Sequence, residues 1–270
     1  MKALTMATTA LVAATLFSGC VITAKTKTRY TGDTQPTVTA TEEWNGEPIV
    51  IQADGVSISV NGGLNVVGSA NTTKISVTAR VIAMSDNAEQ ENAKKSITDV
   101  IATVKVEKVD GKYKVSCGHA AADYGTSSRG DAGCELLTVN VPLGTTIKPL
   151  DITAGSGNGT LSVTGGLVVK NALIQADGGD VSADLVPVQG AEIRVKSLKA
   201  DDATLIVPAS VQADVVTIVG DQTKSSSAFT TVIPNVDGSL GTAGQGAKLL
   251  NVESLEFAGT RGAAKLVARQ

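Results

Sequence analysis

Aromatic residues are scarce in this 270-residue chain, at 3% of the sequence, and His119 is its one histidine. A folded core must therefore be built from small aliphatic side chains, and the apolar residues are mainly Val, Ile, Leu and Ala. No CxxC pair accompanies the histidine, so the usual nitrogen and sulfur ligands of a metal site are missing. No serine stands in a G-x-S-x-G motif. These absences predict that the protein is not an enzyme and has no catalytic, cofactor-binding or metal-binding residues.

An excess of positive charge is also missing. The chain has 23 Lys and Arg residues against 26 Asp and Glu residues, which gives a net charge of −3. Lys2 is the one charged residue before Cys20, so a chain that begins at Cys20 carries a net charge of −4. A nucleic-acid-binding protein needs a basic surface to neutralise phosphates. The composition therefore excludes nucleic acid as a partner, and it argues against electrostatic binding to anionic lipid.

The chain has no hydrophobic run long enough to span a membrane as a helix. Residues 3–17 are apolar but are interrupted by threonines, and they follow the basic residue Lys2. Ser18 and Gly19 then supply the small residues that precede a peptidase cleavage site. We therefore predict that residues 1–19 are an export signal.

The end of this signal resembles a known motif. Leu16-Phe17-Ser18-Gly19-Cys20 resembles the lipobox of bacterial lipoproteins, which implies cleavage before Cys20 and attachment of acyl chains such as palmitate to that cysteine. An ordinary secretory signal followed by a chance cysteine is the alternative. Val21, rather than the Asp that often retains lipoproteins at the inner membrane, follows Cys20. We therefore predict a lipid-anchored protein of the cell envelope, delivered to the outer membrane.

Two further cysteines, Cys117 and Cys134, remain once Cys20 is acylated. An exported protein meets oxidising conditions, so we predict a disulfide between them. Sixteen residues separate the two cysteines, and closing a loop of this size stabilises a fold by roughly 3 kcal/mol in the chain-entropy model. Two free thiols, or a metal site that includes His119, are the alternatives.

The remaining sequence divides into a tether and a folded body. Residues 20–43 are rich in Thr and Lys and show almost no apolar periodicity, which predicts a flexible tether. The body is predicted over residues 44–270. Within it, residues 55–60 alternate apolar and polar side chains as a strand does. A capping-box arrangement at Asp86 and Glu89 predicts a helix from about residue 87 to residue 99, and residues 252–257 and 264–267 are predicted as closing strands.

The second half of the body is repetitive. Residues 167–187 and 188–208 are equally long segments that share residues at matching positions, such as Asp180 with Asp201. A period of about 20–21 residues with short strands predicts a mainly β, right-handed β-solenoid with one short helix. In this register Ile174 and Val195 point into one buried column, and Leu185 and Ile206 into a second. An antiparallel β-sandwich is the alternative.

Several of these segments resemble a known family. Leu137 to Thr145, Gly178-Gly179-Asp180-Val181, Leu205 to Ser210, and Ala213 to Val216 resemble the short repeated motifs of the bacterial "putative-adhesin" family of β-solenoid domains. The resemblance covers roughly residues 46–221. It implies a β-solenoid displayed on the cell envelope, and it implies no catalytic residues.

Three other groups of residues are candidate sites. Residues 155–159 form a glycine-rich stretch, but a strand rather than a helix is predicted to follow, so a phosphate loop is not expected. Trp44 and Tyr124 are candidates for stacking on a sugar. Turn aspartates are candidates for a Ca²⁺ site, although the calcium-binding nonapeptide pattern is missing; they are Asp177, Asp180, Asp184, Asp201 and Asp202. Solvated turn aspartates are the simpler interpretation.

The sequence therefore predicts a cell-envelope lipoprotein that displays a non-catalytic β-solenoid for adhesion or envelope interaction. The expected partners are the membrane, through the anchor at Cys20, and an unidentified surface protein or polymer. A β-helix enzyme that acts on polysaccharide is one alternative, and it needs clustered acidic residues in a cleft. A carrier of a small ligand or lipid is another, and it needs an internal cavity.

Overall fold

The described part of the chain forms eighteen strands and one helix, which confirms a mainly β protein with a single helix. The computed structural model describes residues 27–33, 37–53, 63–86, 90–118, 120–122, 130–155, 159–198, 201–211, 213–219, 226–227, 241–242, 252–259 and 262–269. The signal sequence, Cys20, His119 and Tyr124 lie outside these residues, as does the strand predicted at 55–60.

The first half of the body contains nine strands and the helix. They are β1 (Lys27–Asp33), β2 (Val38–Thr39), β3 (Ile49–Ala53), β4 (Gly63–Ser69), β5 (Ser76–Asp86), α1 (Gln90–Ile101), β6 (Lys105–Val109), β7 (Lys112–Cys117), β8 (Ala120–Ala122) and β9 (Gly130–Pro142). The second half follows as β10 (Leu150–Ala154), β11 (Thr160–Ala176), β12 (Val181–Ser197), β13 (Ala203–Pro208), β14 (Ala213–Val219), β15 (Ser226–Ser227), β16 (Gly241–Thr242), β17 (Val252–Gly259) and β18 (Ala264–Arg269).

These strands join in a single sheet, and the predicted stacked right-handed solenoid is wrong. The sheet has mixed strand order and is barrel-like and nearly closed. Strand β5 pairs antiparallel with β1, β2 and β9. The pairs β6–β7 and β8–β9 are also antiparallel. In contrast, β11 pairs in parallel with both β10 and β12. Strands from distant parts of the chain lie side by side, as when β3 pairs with β10 and β13 with β18. A stack of consecutive coils does not describe this order.

The fixed period of 20–21 residues fails because the offset between neighbouring strands changes. Along β11 and β12, Leu161 pairs with Val181 and Asn171 with Glu192, and two register shifts interrupt the ladder between their ends. Ile174 pairs with Val195 and both side chains are fully buried, as predicted.

The second predicted column is wrong. Ile206 pairs with Asp184 rather than with Leu185, and its side chain is only partly buried, whereas that of Leu185 is fully buried. A shift of one residue turns every side chain of a strand to the other face. Asp202, not Asp201, lies level with Asp180, because the backbone N–H of Asp202 donates to Asp180 Oδ1 at 3.0 Å. Two consecutive aspartates at the turn concealed this one-residue difference in the sequence.

The core follows from strict alternation along the strands. In β3, Ile49, Ile51 and Ala53 are fully buried, while Val50 and Gln52 point outward. Small aliphatic side chains form nearly the whole cluster, as the composition predicts. Among the described residues, Trp44 and Tyr113 are the aromatic members of this core. Burying a Val, Leu or Ile side chain contributes about 1.5–3 kcal/mol, so this interior carries the stability of the sheet.

The helix and the closing strands are confirmed. Helix α1 covers residues 90–101, close to the predicted 87–99, and it packs against β1, β5, β8 and β9. Ser96, Ile97 and Val100 form its buried side. Among the described residues, no helix is long and apolar enough to cross a membrane.

The segment predicted as a tether is partly structured. β1 pairs antiparallel with β5 over its whole length, from Lys27 opposite Asp86 to Asp33 opposite Arg80. β2 pairs with the other end of β5. Among the described residues, paired structure is therefore present from residue 27, whereas the sequence placed the start of the body at Trp44. The sequence of β1 lacks aliphatic alternation, so its strand was invisible without its partner.

Candidate functional site

The two cysteines predicted to pair are joined by a disulfide. Cys117 ends β7 and Cys134 lies within β9, and their Cα atoms are 6.3 Å apart. Both side chains are buried in the core. The bridge therefore ties the β6–β7 hairpin to the strand that pairs with β5.

A buried carboxylate lies beside this bridge. Glu135 is fully buried, and its Oε2 accepts a hydrogen bond from Arg80 Nε at 2.6 Å. It occupies a bulge, because Arg80 pairs with Leu136 and the next residue, Val81, pairs with Cys134. The extra residue turns a charged side chain inward, and the guanidinium compensates it. Sequence reasoning missed this pair, since neither residue belongs to a recognisable motif.

The turn aspartates bind the backbone of neighbouring strands. Asp201 Oδ2 accepts from the N–H of Gly179 at 2.7 Å, and Asp180 Oδ1 accepts from the N–H of Asp202. Asp202 Oδ1 accepts from the N–H of Ala263 at 2.8 Å, and its Oδ2 accepts from Lys265 Nζ at 3.1 Å.

Asp184 pairs with Arg269 near the end of β18. No group of three potential metal-ligating side chains occurs in the described ranges. These carboxylates therefore fasten β12, β13 and β18 together at their turns.

The glycine-rich stretch and Trp44 are placed in structural roles. The N–H of Gly155 donates to the carbonyl of Ala53 at 2.8 Å, and strand β11 follows the stretch. Residues 156–158 lie outside the described residues. Trp44 is 4% exposed and its Nε1 donates to the carbonyl of Glu47 at 2.9 Å. Its ring is therefore not available to stack on a sugar.

A charged cluster beside Trp44 was not predicted. Lys108 Nζ lies 2.8 Å from Glu47 Oε1 and 3.0 Å from Glu42 Oε2, and 5.4 Å from the centroid of the Tyr113 ring. Hydrogen bonds from Lys108 to Glu47 and Glu42 raise the pKa of the lysine. Partial burial raises the pKa of Glu47, but the hydrogen bonds from Lys108 and from the N–H of Asn45 outweigh it, so this pKa lies below its ordinary value.

A row of small polar side chains crosses six adjacent strands on the outer face of the sheet. Thr78 pairs with Thr138, Thr138 with Asn65, Asn65 with Ser162, Ser162 with Ser182, and Ser182 with Thr204. All six side chains are partly buried. We call them the polar row. Strands are spaced about 4.8 Å apart, so the row is roughly 24 Å long.

The residues around the middle of the polar row are also uncharged. On β9, β4 and β11, the positions two residues before and after the row align across the strands. They are Leu136 and Asn140, Gly63 and Val67, and Thr160 and Thr164. Together with Thr138, Asn65 and Ser162 they form what we call the uncharged patch.

The regularity of this patch follows from the strands beneath it. The inward neighbours on β4 and β11, which are Leu64, Val66, Leu161 and Val163, are at most 1% exposed, and Leu137 and Val139 on β9 are fully buried, so all three strands pack against the core. The outward side chains arise from regular, paired strands. Hydroxyl and amide groups therefore recur at the strand spacing, and each can donate and accept hydrogen bonds.

A second outward row has a different character. Gln52 pairs with Thr153, Thr153 with Gln175, and Gln175 with Lys196. The row two residues before it carries charges of both signs, Asp151 and Arg194. This second row provides a comparison surface of similar geometry but mixed charge.

Three solved structures are similar to the chain at low levels. A "putative cell adhesion protein" from Clostridium sporogenes ATCC 15579 has a TM-score of 0.47 and 12% identity, over 90% of this chain and 100% of its own. "Putative adhesins" from Parabacteroides distasonis ATCC 8503 and Bacteroides fragilis NCTC 9343 have TM-scores of 0.25 and 0.20, with 9% and 11% identity. Both matches cover 90% of this chain. They cover 98% of the Parabacteroides distasonis protein and 99% of the Bacteroides fragilis protein.

Scores at this level do not establish a shared fold or function. No protein-family model and no curated protein matches the chain.

Proposed function

We propose that this protein is a non-catalytic, lipid-anchored protein of the cell envelope that adheres through the uncharged patch to a neutral, hydroxyl-rich polymer such as a polysaccharide. The polar row is the observation that carries the proposal. Its side chains offer donors and acceptors at a spacing of about 4.8 Å along a line of roughly 24 Å. An extended polymer with regularly spaced hydroxyl groups can lie along such a line.

The chemistry of the patch favours a neutral polymer over other partners. The nine residues of the uncharged patch carry no charge and so offer nothing to phosphates or to an acidic chain. A protein partner is usually bound through buried aromatic or arginine anchors, which the patch does not have. A hydroxyl-rich polymer can instead replace the water on the patch with hydrogen bonds between its own hydroxyl groups and the side chains of the patch.

The expected affinity of a single patch is low. A typical hydrogen bond contributes a net 0.5–1.5 kcal/mol, since water must be displaced from both partners. Adhesion then depends on many copies on one membrane, because multivalent binding raises avidity by about 10²–10⁴ without new contacts. Lipid anchoring at Cys20 supplies that density.

Two matched double variants test the patch. Ser162→Lys with Ser182→Lys places two charged side chains on neighbouring strands of the polar row, and Thr153→Lys with Gln175→Lys does the same on the second row. Vesicles that carry each full-length protein are passed over cellulose, chitin and cross-linked dextran beads. We expect the first variant to lose retention by about tenfold or more, as multivalency is lost, and the second to behave as wild type. Equal retention of the two variants, or no retention of the wild type on any bead, contradicts the proposed adhesion.

The anchor is tested separately. Cys20→Ser removes the acylation site, so the variant should move to the aqueous phase in a detergent phase separation that retains the wild type in the detergent phase. A variant that partitions as the wild type does would rule out the lipid anchor. The adhesion test does not depend on this result if the vesicles are replaced by beads coated with the protein.

A further inference from the structure

The distance along the chain between Cys20 and the first strand is short. β1 begins at Lys27, seven residues after the proposed acylation site, and it is paired with β5 from its first residue. Seven residues reach at most roughly 25 Å when fully extended. A tether that continued to residue 43 would reach roughly 80 Å. The body is therefore held much closer to the anchor than the sequence alone predicts.

One end of the body is defined by the start of β1. Lys27 is opposite Asp86, the last residue of β5, and α1 begins four residues later at Gln90. At the same end, β9 begins at Gly130, which pairs with Ala122 at the end of β8. We call this the β1 end.

The opposite end is far away. Strand β5 begins at Ser76 at the opposite end and ends at Asp86 at the β1 end, and its eleven residues span roughly 35 Å. The exposed turns that contain Asn71 and Thr145 lie beyond that end of β5 and the paired end of β9.

We propose that the β1 end rests against the bilayer that holds the acyl chains of Cys20, so that the body stands end-on with its turns at Asn71 and Thr145 pointing away from the membrane. This inference depends on the lipid anchor of the proposed function. The occupant is the lipid surface because the short connection leaves the β1 end within roughly 25 Å of it. The strands of the uncharged patch then run away from the membrane, and the patch faces sideways.

Energy transfer to the bilayer tests the orientation. The full-length acylated protein is placed in vesicles of phosphatidylethanolamine and phosphatidylglycerol that contain an acceptor-labelled lipid. A donor dye is attached at Lys95→Cys, on the exposed side of α1, or at Thr145→Cys, with the native disulfide kept intact. Transfer from residue 95 should exceed transfer from residue 145 by about twofold or more, because β5 adds roughly 35 Å.

A longer connection provides the control. About 20 Gly and Ser residues inserted before Lys27 form a flexible coil and should bring the two transfer efficiencies together. Equal transfer from both positions in the protein without the insertion would overturn the end-on arrangement. If the Cys20→Ser variant remains on the vesicles, the lipid anchor itself is refuted. If the wild type floats with the vesicles but shows equal transfer from the two positions, only the end-on arrangement is refuted.

Discussion

Two glycines with positive φ allow the cost of a close backbone contact to be measured. Gly165 has φ 87° and lies at the register shift of β11, where Gly68 of β4 crosses it. A Cβ at position 165 would lie 2.9 Å from the carbonyl oxygen of Gly68 and 3.0 Å from its Cα. Gly144 has φ 95° in the turn after β9, and a Cβ there would have nothing within 4 Å.

The two alanine variants share one cost and differ in another. A left-handed backbone costs an L-residue about 1–2 kcal/mol, and both Gly144→Ala and Gly165→Ala incur it. Only Gly165→Ala also pushes against backbone atoms, which have no rotamer with which to move aside. Forced backbone shifts of this kind cost about 1–3 kcal/mol. We therefore expect destabilisation by about 1–2 kcal/mol for Gly144→Ala and about 2–5 kcal/mol for Gly165→Ala.

Equilibrium unfolding in urea, followed by circular dichroism with the disulfide intact, gives both values. The midpoint should fall more for Gly165→Ala, while the slope with urea stays that of the wild type, because the surface exposed on unfolding is the same. Equal midpoints for the two variants would refute the reasoning, since the contact between Gly165 and Gly68 would then carry no energetic weight.

Four further variants test the core, the bridge and the charged cluster. Val195→Asp buries an unpaired charge and should unfold the body. Asp201→Ala removes one hydrogen bond to the backbone and should destabilise the fold by about 1 kcal/mol. Melting curves that shift equally for the two variants would contradict the buried position of Val195. Cys117→Ser should lower the free energy of unfolding by roughly 3 kcal/mol, measured by urea titration, and no loss would mean that the bridge does not constrain the chain. Because the folded pKa of Glu47 is depressed, its contribution to stability is present at neutral pH and is lost as the pH falls below about 4. The stability difference between wild type and Lys108→Met should therefore shrink in acid to what the contact with Tyr113 contributes, and a difference that does not change with pH would refute the pairing.

Local patterns in the sequence predicted the local structure well. The capping signals identified α1 within a single stretch of the chain. The cysteine pair also followed from the sequence. In each case the evidence lies within a short stretch, or depends on a count of residues rather than on a register.

Register and strand order could not be predicted in the same way. The difference between Asp201 and Asp202 as the neighbour of Asp180 is a single residue, and it reverses the face of Ile206. The strand order depends on pairings such as that of β3 with β10, for which nothing in either segment encodes the partner.

The polar row was hidden for the same reason. Its members range along the chain from Asn65 to Thr204, and each is an ordinary outward residue of its own strand. The row exists only because β4 lies between β9 and β11. A scan for contiguous motifs cannot detect a surface that is assembled in this way.

The antiparallel pairing of β1 with β5 has a mechanical consequence. A force applied to the residues before Lys27 and directed away from the body acts along the axis of β1, so the strand is loaded in shear and its seven residue pairs resist together. Peeling the strand from its side would instead break the same bonds one after another. Beyond β1, the pairing of β2 with the far end of β5 provides a second point of resistance before the tension reaches the core. An attachment that enters the fold in this way withstands drag on the body better than its small number of hydrogen bonds implies.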